Sequence, residues 1–361
     1  MNTTGKTQYY KENNFDLIRL FAALQVVTFH LIEHFNATSL QWLSNLISPL
    51  PGVPIFFFIS GFLISAAWER NPDIKIFALN RIYRVFPGLW ACVLLSAVSV
   101  LVFYDVTILK ENLPQFLLWI LTQGSIIQVW NPEFLRGYGI GVVNGSLWTI
   151  SVEVCFYIFI PLIYFLKKVL KLKTNILLIL IIVSSFALNY FLESSYSDNY
   201  ISEFNSKLLL VSPLPWFGMF CVGILFNKNL KTLHFFTRNR FWYLLFLFVC
   251  ISSVPFWHQS TLLIRFGNSI GILNYIALCF LIMSAAYSNP RISDKILRRN
   301  DISYGVYIYH QPILNVFIIL GLQGSTGVFL CLLTTLLLAL ISWRFIERPV
   351  LLLKKRSLHV R

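Results

Sequence analysis

Runs of about 20 apolar residues recur along the whole chain, separated by short polar segments that are rich in lysine and arginine. A helix of that length crosses the hydrocarbon core of a bilayer. We therefore predict an all-α fold, a polytopic membrane helix bundle with about ten transmembrane helices. The predicted spans cover residues 15–35, 49–68, 84–104, 146–166, 174–192, 208–226, 241–258, 267–287, 304–322 and 327–346.

An eleventh apolar run, residues 113–130, contains a proline and three glutamines and is polar for a helix that faces lipid. If this run does not cross, 25 of the 29 Lys and Arg residues lie on one side of the membrane. The four on the other side are Lys110, Arg136, Lys207 and Arg265. Basic loops stay cytoplasmic, so we predict that both termini are cytoplasmic and that 113–130 is a re-entrant or interfacial segment. The whole chain, 1–361, is then a single membrane domain.

Composition supports a chain that lives in lipid. Only 12% of the residues are charged, against about 25% in soluble domains, whereas 57% are hydrophobic. These values exclude a soluble enzyme and a disordered chain. The net charge of +14 follows from the basic inner loops, so we expect a lipid bilayer and not nucleic acid as the partner. The six cysteines lie singly in apolar runs, which predicts neither disulfides nor a cysteine metal site.

Ionisable side chains inside a span are costly and are therefore candidates for function. Arg19 and His30 lie 11 positions apart in the first span, which places them within about 20° of one helix face and about 16 Å apart along the axis. Asp16 can pair with Arg19 across one turn. The alternative is that Arg19 reaches the inner headgroups and His30 bonds a neighbouring helix.

The first span continues as HLIEH, where His30 and His34 flank Glu33. This order matches a pattern of inverted zinc proteases, but it lies at a helix end and a zinc site needs a further ligand. We predict that Glu33 and His34 line the outer mouth of a site and bind substrate, with no metal.

Two arginines mark the start of the third span. Arg81 and Arg84 share one helix face on the cytoplasmic side, where they suit a polyanionic cofactor that arrives from the cytoplasm. The alternative is that they only set the topology.

Glu153 lies about two turns into the fourth span, in the segment NGSLWTISVEVCFY. A buried carboxylate must be protonated, pair with a cation or bind something, and at this depth Glu153 could meet His30. Aromatic and asparagine residues between Trp130 and Trp148 could form a platform that binds a sugar, although aromatic belts occur in any membrane protein.

Ser60, Tyr304 and His310 are predicted mainly to pack, with a supporting role at the site as the alternative. Ser60 precedes a glycine in an aromatic helix, a pattern typical of close helix packing. Tyr304 and His310 belong to an aromatic helix, ISYGVYIYHQPI. Glu347 is expected to pair with its neighbour Arg348.

These motifs, taken together and in order, resemble the acyltransferase 3 family of integral-membrane acyltransferases. The resemblance runs from residue 15 to residue 349 and is carried by the Arg-x10-His helix, GVPIFFFISGFLI, RIYRVFPGLW, NGSLWTISVEVCFY, SYGVYIYH and FIERP. It implies about ten transmembrane helices in the bacterial cytoplasmic (inner) membrane. It also implies transfer of an acyl group, usually acetyl from cytoplasmic acetyl-CoA, to hydroxyls of carbohydrates such as lipopolysaccharide O-antigen, exopolysaccharide or lipid-linked sugars.

Carried over by residue, the resemblance implies that Arg19 and His30 are the family's essential pair. Arg81 and Arg84 match its basic pair, and Glu153 matches the carboxylate of its SLWxLSxE segment. Many members carry a fused SGNH-type domain outside the membrane. We expect none within residues 1–361 and therefore expect a stand-alone membrane enzyme.

The predicted mechanism is acyl-CoA-dependent O-acetyl transfer. Arg81, Arg84 and Arg19 would hold the phosphates of acetyl-CoA, and the pantetheine arm would bring the thioester to His30. His30 would take the proton from the acceptor hydroxyl, while Glu153 would fix the His30 tautomer or hold the sugar. An acetyl-histidine intermediate remains an alternative.

Two other function classes compete with an enzyme. A proton-coupled transporter would also use intramembrane histidine and glutamate, although the sequence shows no inverted repeat. A purely structural membrane scaffold would leave the buried ionisable residues without a purpose.

Overall fold

The computed structural model describes residues 12–197, 208–209, 211–253, 263–264, 270–298 and 300–359. Apart from two short strands, its regular structure is helical. The helices are α1 Phe15–His34, α2 Gln41–Ile47, α3 Gly52–Arg70, α4 Ile74–Phe103, α5 Val106–Glu111, α6 Leu113–Gln123, α7 Trp148–Leu170, α8 Thr174–Ser197, α9 Phe217–Lys228, α10 Leu230–Thr237, α11 Phe241–Ser252, α12 Ile272–Tyr287, α13 Ile292–Leu297, α14 Ser303–Ile319, α15 Gly324–Ser342 and α16 Arg348–His359. Strands β1 Leu263–Ile264 and β2 Ile270–Gly271 pair antiparallel, and a π-helical turn Trp343–Glu347 joins α15 to α16.

Each of the ten predicted spans contains a helix, and the chain is a multi-pass membrane protein. Among the described residues, six helical segments are long and apolar enough to cross a membrane: Phe15–His34, Thr38–Arg70, Ile74–Phe103, Gly145–Leu170, Thr174–Phe191 and Gly324–Lys354. The helices in the other four predicted spans, α9, α11, α12 and α14, have 12 to 17 residues. The count of ten crossings therefore stays a prediction. The predicted spans 208–226, 241–258 and 267–287 include residues outside the described part of the chain. Lys207 and Arg265, predicted on the outer side, also lie outside it.

The segment predicted as re-entrant or interfacial forms the 11-residue helix α6. At about 1.5 Å per residue it is roughly 16 Å long, about half of the hydrocarbon thickness. Phe116 and Trp119 are buried against Tyr138 and the C-terminal part of α4, whereas Leu117 and Leu121 on the opposite side are exposed. The helix is thus anchored by one face only.

The chain folds into two compact units, each assembled from three separate segments. The first unit comprises Met1–Ala22, Pro49–Pro72 and Cys155–Asn300, and the second comprises Ala23–Ser48, Asp73–Val154 and Asp301–Arg361. Helix α1 begins in the first unit and ends in the second.

The first unit is built on a close contact between α3 and α9. A Cβ atom on Gly61 would collide with the backbone carbonyl of Phe220, and one on Gly223 would collide with the carbonyl of Phe58. Only glycine allows two helix backbones to approach this closely. Ser60 is buried at the same level, so the predicted packing role of this segment is confirmed by the glycine contacts.

A charged cluster closes the same unit at the ends of its helices. Glu69 accepts hydrogen bonds from the Tyr164 hydroxyl at 2.6 Å and the Asn227 amide at 3.4 Å. The Lys228 ammonium lies 2.5 Å from the same carboxylate and 4.7 Å from the Tyr164 ring centroid. Because the carboxylate of Glu69 pairs with the ammonium group of Lys228, the two charges neutralise each other.

Candidate active site

In the second unit, the break in the hydrogen-bond ladder of α14 organises the polar side chains. Pro312 lacks an N–H, so the carbonyl of Ile308 loses its helical partner. The Asn144 amide donates to that carbonyl at 2.9 Å, and the Cys92 thiol lies 3.1 Å from it. Three separate chain segments therefore meet at one freed backbone oxygen, because a buried carbonyl must be satisfied inside the protein.

The segment that precedes α7 is attached to α14 by further side-chain bonds to backbone. The Gln311 side-chain oxygen accepts from the Ser146 N–H at 2.7 Å. The Asn315 oxygen accepts from the Ile140 N–H at 2.8 Å, and its amide donates to the carbonyl of Val143 at 2.9 Å. The Thr149 and Tyr307 hydroxyls lie 3.0 Å apart. These contacts fix the irregular loop and the start of α7 relative to α14.

Two histidines meet on this framework. His30 Nδ1 lies 3.0 Å from His310 Nε2, and the rings stack with centroids 5.2 Å apart and an interplanar angle of 30°. His310 Nδ1 lies 2.6 Å from the carbonyl oxygen of Tyr307. His310 is 0% exposed, whereas His30 is only partly buried. His30 thus contacts a neighbouring helix, as the alternative interpretation of the sequence expected. Its partner, His310, is a second titratable ring.

The two residues predicted at the outer mouth follow His30 on α1. The His34 ring centroid lies 6.3 Å from that of His30, and Glu33 is exposed. Across the part of the chain that the structure describes, no group of three or more His, Cys, Asp or Glu side chains is placed to hold a metal ion.

Helix α7 carries the two remaining outer candidates. Trp148 is its first residue and is partly buried. Glu153, five residues further on, is also partly buried. The residue in contact with His30 Nδ1 is His310 and not Glu153. The predicted role of Glu153 at the site stays a prediction.

At the other end of α14, an arginine lies between two carboxylates. Arg84 pairs with Asp301 directly and with Glu347 at 3.7 Å. Glu347 is 2% exposed and also accepts from the Ser342 hydroxyl at 3.0 Å. The expected pair between Glu347 and Arg348 is wrong, because the π-helical turn directs Glu347 inward to Arg84 and leaves Arg348 exposed.

Tyr304 packs against α4 near this arginine. Its hydroxyl donates to the carbonyl of Val85 at 2.9 Å. A Cβ atom on Gly88 would lie 2.9 Å from the Tyr304 ring, so the ring packs directly against the backbone of α4.

The other two basic candidates differ from Arg84 in their surroundings. Arg81 lies over the Phe77 ring at 5.8 Å and is partly exposed. Arg19 belongs to the first unit, where Asp16 is 3.9 Å away as predicted from their spacing.

Sequence reasoning missed two partners in this region. His310 was expected mainly to pack among aromatic residues, and Asp301 was not singled out. His310 is 280 residues from His30, and Asp301 is 217 residues from Arg84. The available signal was position, since Asp301 stands two residues before the SYGVYIYH segment and Pro312 stands two residues after His310.

Comparison with known proteins relates this geometry to a family. A family model described as an acyltransferase domain matches residues 12–344. The chain is 30% identical to nodulation protein 10 of Rhizobium leguminosarum bv. viciae, covering 95% of this chain and 94% of that protein. It is 28% identical to an O-acetyl transferase of Shigella phage Sf6, covering 95% and 97%. It is 25% identical to a peptidoglycan O-acetyltransferase of Listeria monocytogenes, covering 93% of this chain and 55% of that protein.

No solved structure matches the chain. The family match covers most of the sequence, and it decides against the transporter and the scaffold as function classes. The protein is an enzyme of the acyltransferase class, and the chain belongs to the acyltransferase 3 family.

Proposed function

We propose that this enzyme transfers acetyl from cytoplasmic acetyl-CoA to a hydroxyl of a surface polysaccharide or lipid-linked sugar at the bacterial inner membrane. Two of the relatives are named O-acetyltransferases, and the name of one specifies peptidoglycan as its substrate. Both match over more than nine tenths of this chain. A carbohydrate such as O-antigen or exopolysaccharide is the acceptor class that fits an O-acetyltransferase of the cell envelope.

The observation that carries the proposal is the state of the His30 ring. Nδ1 lies within hydrogen-bond distance of His310, while Nε2 has no hydrogen-bond partner among the described residues, and His30 as a whole is only partly buried. An alcohol is a poor nucleophile at neutral pH and needs a base that is within hydrogen-bond reach. His30 Nε2 is a nitrogen of the right chemistry that remains available to a substrate.

The donor is held from the cytoplasmic side in this proposal. Arg81 binds the phosphates of acetyl-CoA, which suit the planar donors of a guanidinium group. Arg19 lies 11 positions before His30 on α1, a rise of about 16 Å that is comparable to the length of the pantetheine arm. Arg84 is already held by two carboxylates, and we assign it mainly to maintaining the inner end of the second unit.

The acceptor is held from the outer side. Glu33, His34 and Trp148 bind the sugar, and the carboxylate of Glu153, on the same helix as Trp148, orients it. When His30 removes the proton of the acceptor hydroxyl, the oxygen attacks the thioester carbonyl and the C–S bond breaks. The proton then passes from His30 to the sulfur of CoA.

The test is to supply radiolabelled acetyl-CoA to membranes that contain the chain. We expect label in the carbohydrate fraction, released by mild alkali as an ester is. Label that resists alkali, or label found only in unmodified acetyl-CoA, would contradict O-acetyl transfer. A chain with Lys110→Ala, a substitution at an exposed position in the short helix α5, should match the unaltered protein.

A further inference from the structure

We infer that His310 is a positioning residue that sets the tautomer of His30, so that the lone pair of His30 is on Nε2. The inference rests on the proposed role of His30 as the base. It is independent of which sugar is the acceptor, because it concerns only the two rings and the backbone of α14.

The carbonyl of Tyr307 determines which nitrogen of His310 carries the proton. A carbonyl oxygen can only accept a hydrogen bond, so the 2.6 Å contact with His310 Nδ1 requires a proton on that nitrogen. A neutral imidazole carries one N–H and one lone pair. His310 Nε2 is therefore the acceptor nitrogen of its ring.

The same logic then applies to His30. His30 Nδ1 lies 3.0 Å from a nitrogen that can only accept, so it must donate and must carry the proton of the neutral His30 ring. The lone pair of His30 is left on Nε2, the nitrogen with no hydrogen-bond partner among the described residues. A backbone carbonyl thus determines, through two rings, which nitrogen faces the substrate.

The surroundings of His310 keep its ring neutral and fixed. The side chain is 0% exposed, and a buried imidazolium without a counter-charge is costly. Within the described part of the chain, neither ring has a carboxylate within ion-pair distance. The Asn144 bond to the Ile308 carbonyl and the bond between Tyr307 and Thr149 hold the turn of α14 that presents His310.

His310 itself does not act on the substrate. Both of its nitrogens have partners and its side chain has no exposed surface. When His30 Nε2 takes the hydroxyl proton, the bond from His30 Nδ1–H to His310 Nε2 becomes charge-assisted and stronger. His310 therefore favours the intermediate state of the proton transfer as well as the reactive tautomer.

Kinetics of two variants of the purified full chain test the inference. His310→Leu removes the acceptor, and we expect kcat to fall by about 10- to 100-fold, because a misplacement of a catalytic group by about 1 Å can cost about 100-fold. KM for acetyl-CoA should not change. In His310→Gln, the side-chain oxygen can accept from His30 Nδ1, and kcat should recover to within about threefold of the original.

A spectroscopic measurement separates orientation from folding. The chain has six histidines, so NMR of protein labelled with nitrogen-15 in its histidine side chains gives a tractable spectrum. The signals that disappear in His30→Ala are those of His30. We expect the original protein to carry the His30 proton on Nδ1, and His310→Leu to populate the form protonated on Nε2. A His30 protonated on Nε2 in the original protein overturns the inference even if His310→Leu does not fold.

The two proposals fail in different ways. A fully active His30→Ala protein would show that His30 is not the base, and this result would contradict both the proposed site and the role of His310. An inactive His30→Ala together with a fully active His310→Leu would retain His30 as the base and overturn the positioning role of His310 alone.

Discussion

The two units of this protein hold their helices together by different means. In the first unit, α3 and α9 meet through Gly61 and Gly223, so that backbone touches backbone. In the second unit, α4, α14 and the loop before α7 meet through side-chain hydrogen bonds that Asn144 and Asn315 make to backbone groups. The first contact uses small residues, and the second uses amide side chains.

The difference indicates where the chemistry lies. Close packing of small residues stabilises a membrane helix pair and needs no ligand. Amide side chains in the second unit satisfy a backbone carbonyl freed by Pro312 and an irregular loop, which membranes tolerate only inside protein or beside a cavity. The cost of such polar contacts is expected at a functional site, and the histidine pair lies on the same helix, α14.

Arg84→Ala should have the largest effect on stability. It leaves Asp301 and Glu347, which are 11% and 2% exposed at the side chain, without their cation. Breaking a buried pair costs about 3–5 kcal/mol, and the partial exposure of Arg84 lowers our expectation to about 3 kcal/mol. Thermal unfolding in detergent measures it. Arg136→Ala, which breaks an exposed pair with Glu133, is the control, and equal melting temperatures would contradict a structural role for Arg84.

Gly61→Val should destabilise the first unit by about 2–3 kcal/mol, because overpacked cores lose that much. The new side chain would force α3 away from the carbonyl of Phe220. Unfolding in denaturant measures the change. Ala67→Val, on the same helix at a partly buried position, should cost far less. If the two variants unfolded alike, the close backbone contact would not be what holds the unit together.

The sequence predicted the close packing at Gly61 and a helix in each of the ten apolar runs, because both follow from local patterns of apolar and small residues. It predicted the Asp16–Arg19 pair for the same reason, since three residues separate them. It did not predict that His310 meets His30, because no local pattern links residues 280 positions apart. The pairing of Glu347 with Arg84 was missed because a π-helical turn rotates Glu347 inward.

Asn144→Ala should cost about 1–3 kcal/mol, because it leaves the Ile308 carbonyl without its amide donor. We also expect kcat to fall about tenfold as the turn that presents His310 loosens. The measurements are thermal unfolding and steady-state kinetics. Asn112→Ala is the control, since Asn112 also donates to a helix carbonyl but outside the site. Unchanged kcat in Asn144→Ala would separate the loop contact from catalysis.

Arg81→Ala should have the smallest effect, a weakening of acetyl-CoA binding by about fivefold, or about 1 kcal/mol, as one partly exposed charge-assisted contact would give. Melting temperature should stay constant, in contrast to Arg84→Ala. Isothermal calorimetry with acetyl-CoA measures the affinity. An unchanged dissociation constant would limit Arg81 to setting the membrane topology.

The central claim is that His30, held by His310 in the second unit, is the base of acetyl transfer. The most direct test is the rate at which purified His30→Ala transfers radiolabelled acetyl from acetyl-CoA to envelope carbohydrate, together with its affinity for acetyl-CoA. His234→Ala is the matched control, because that ring packs on Tyr287 in the first unit. We expect kcat to fall by about 10²- to 10⁴-fold in His30→Ala, with acetyl-CoA affinity unchanged and His234→Ala close to the original rate. A His30→Ala protein that transfers acetyl at the original rate would contradict the account.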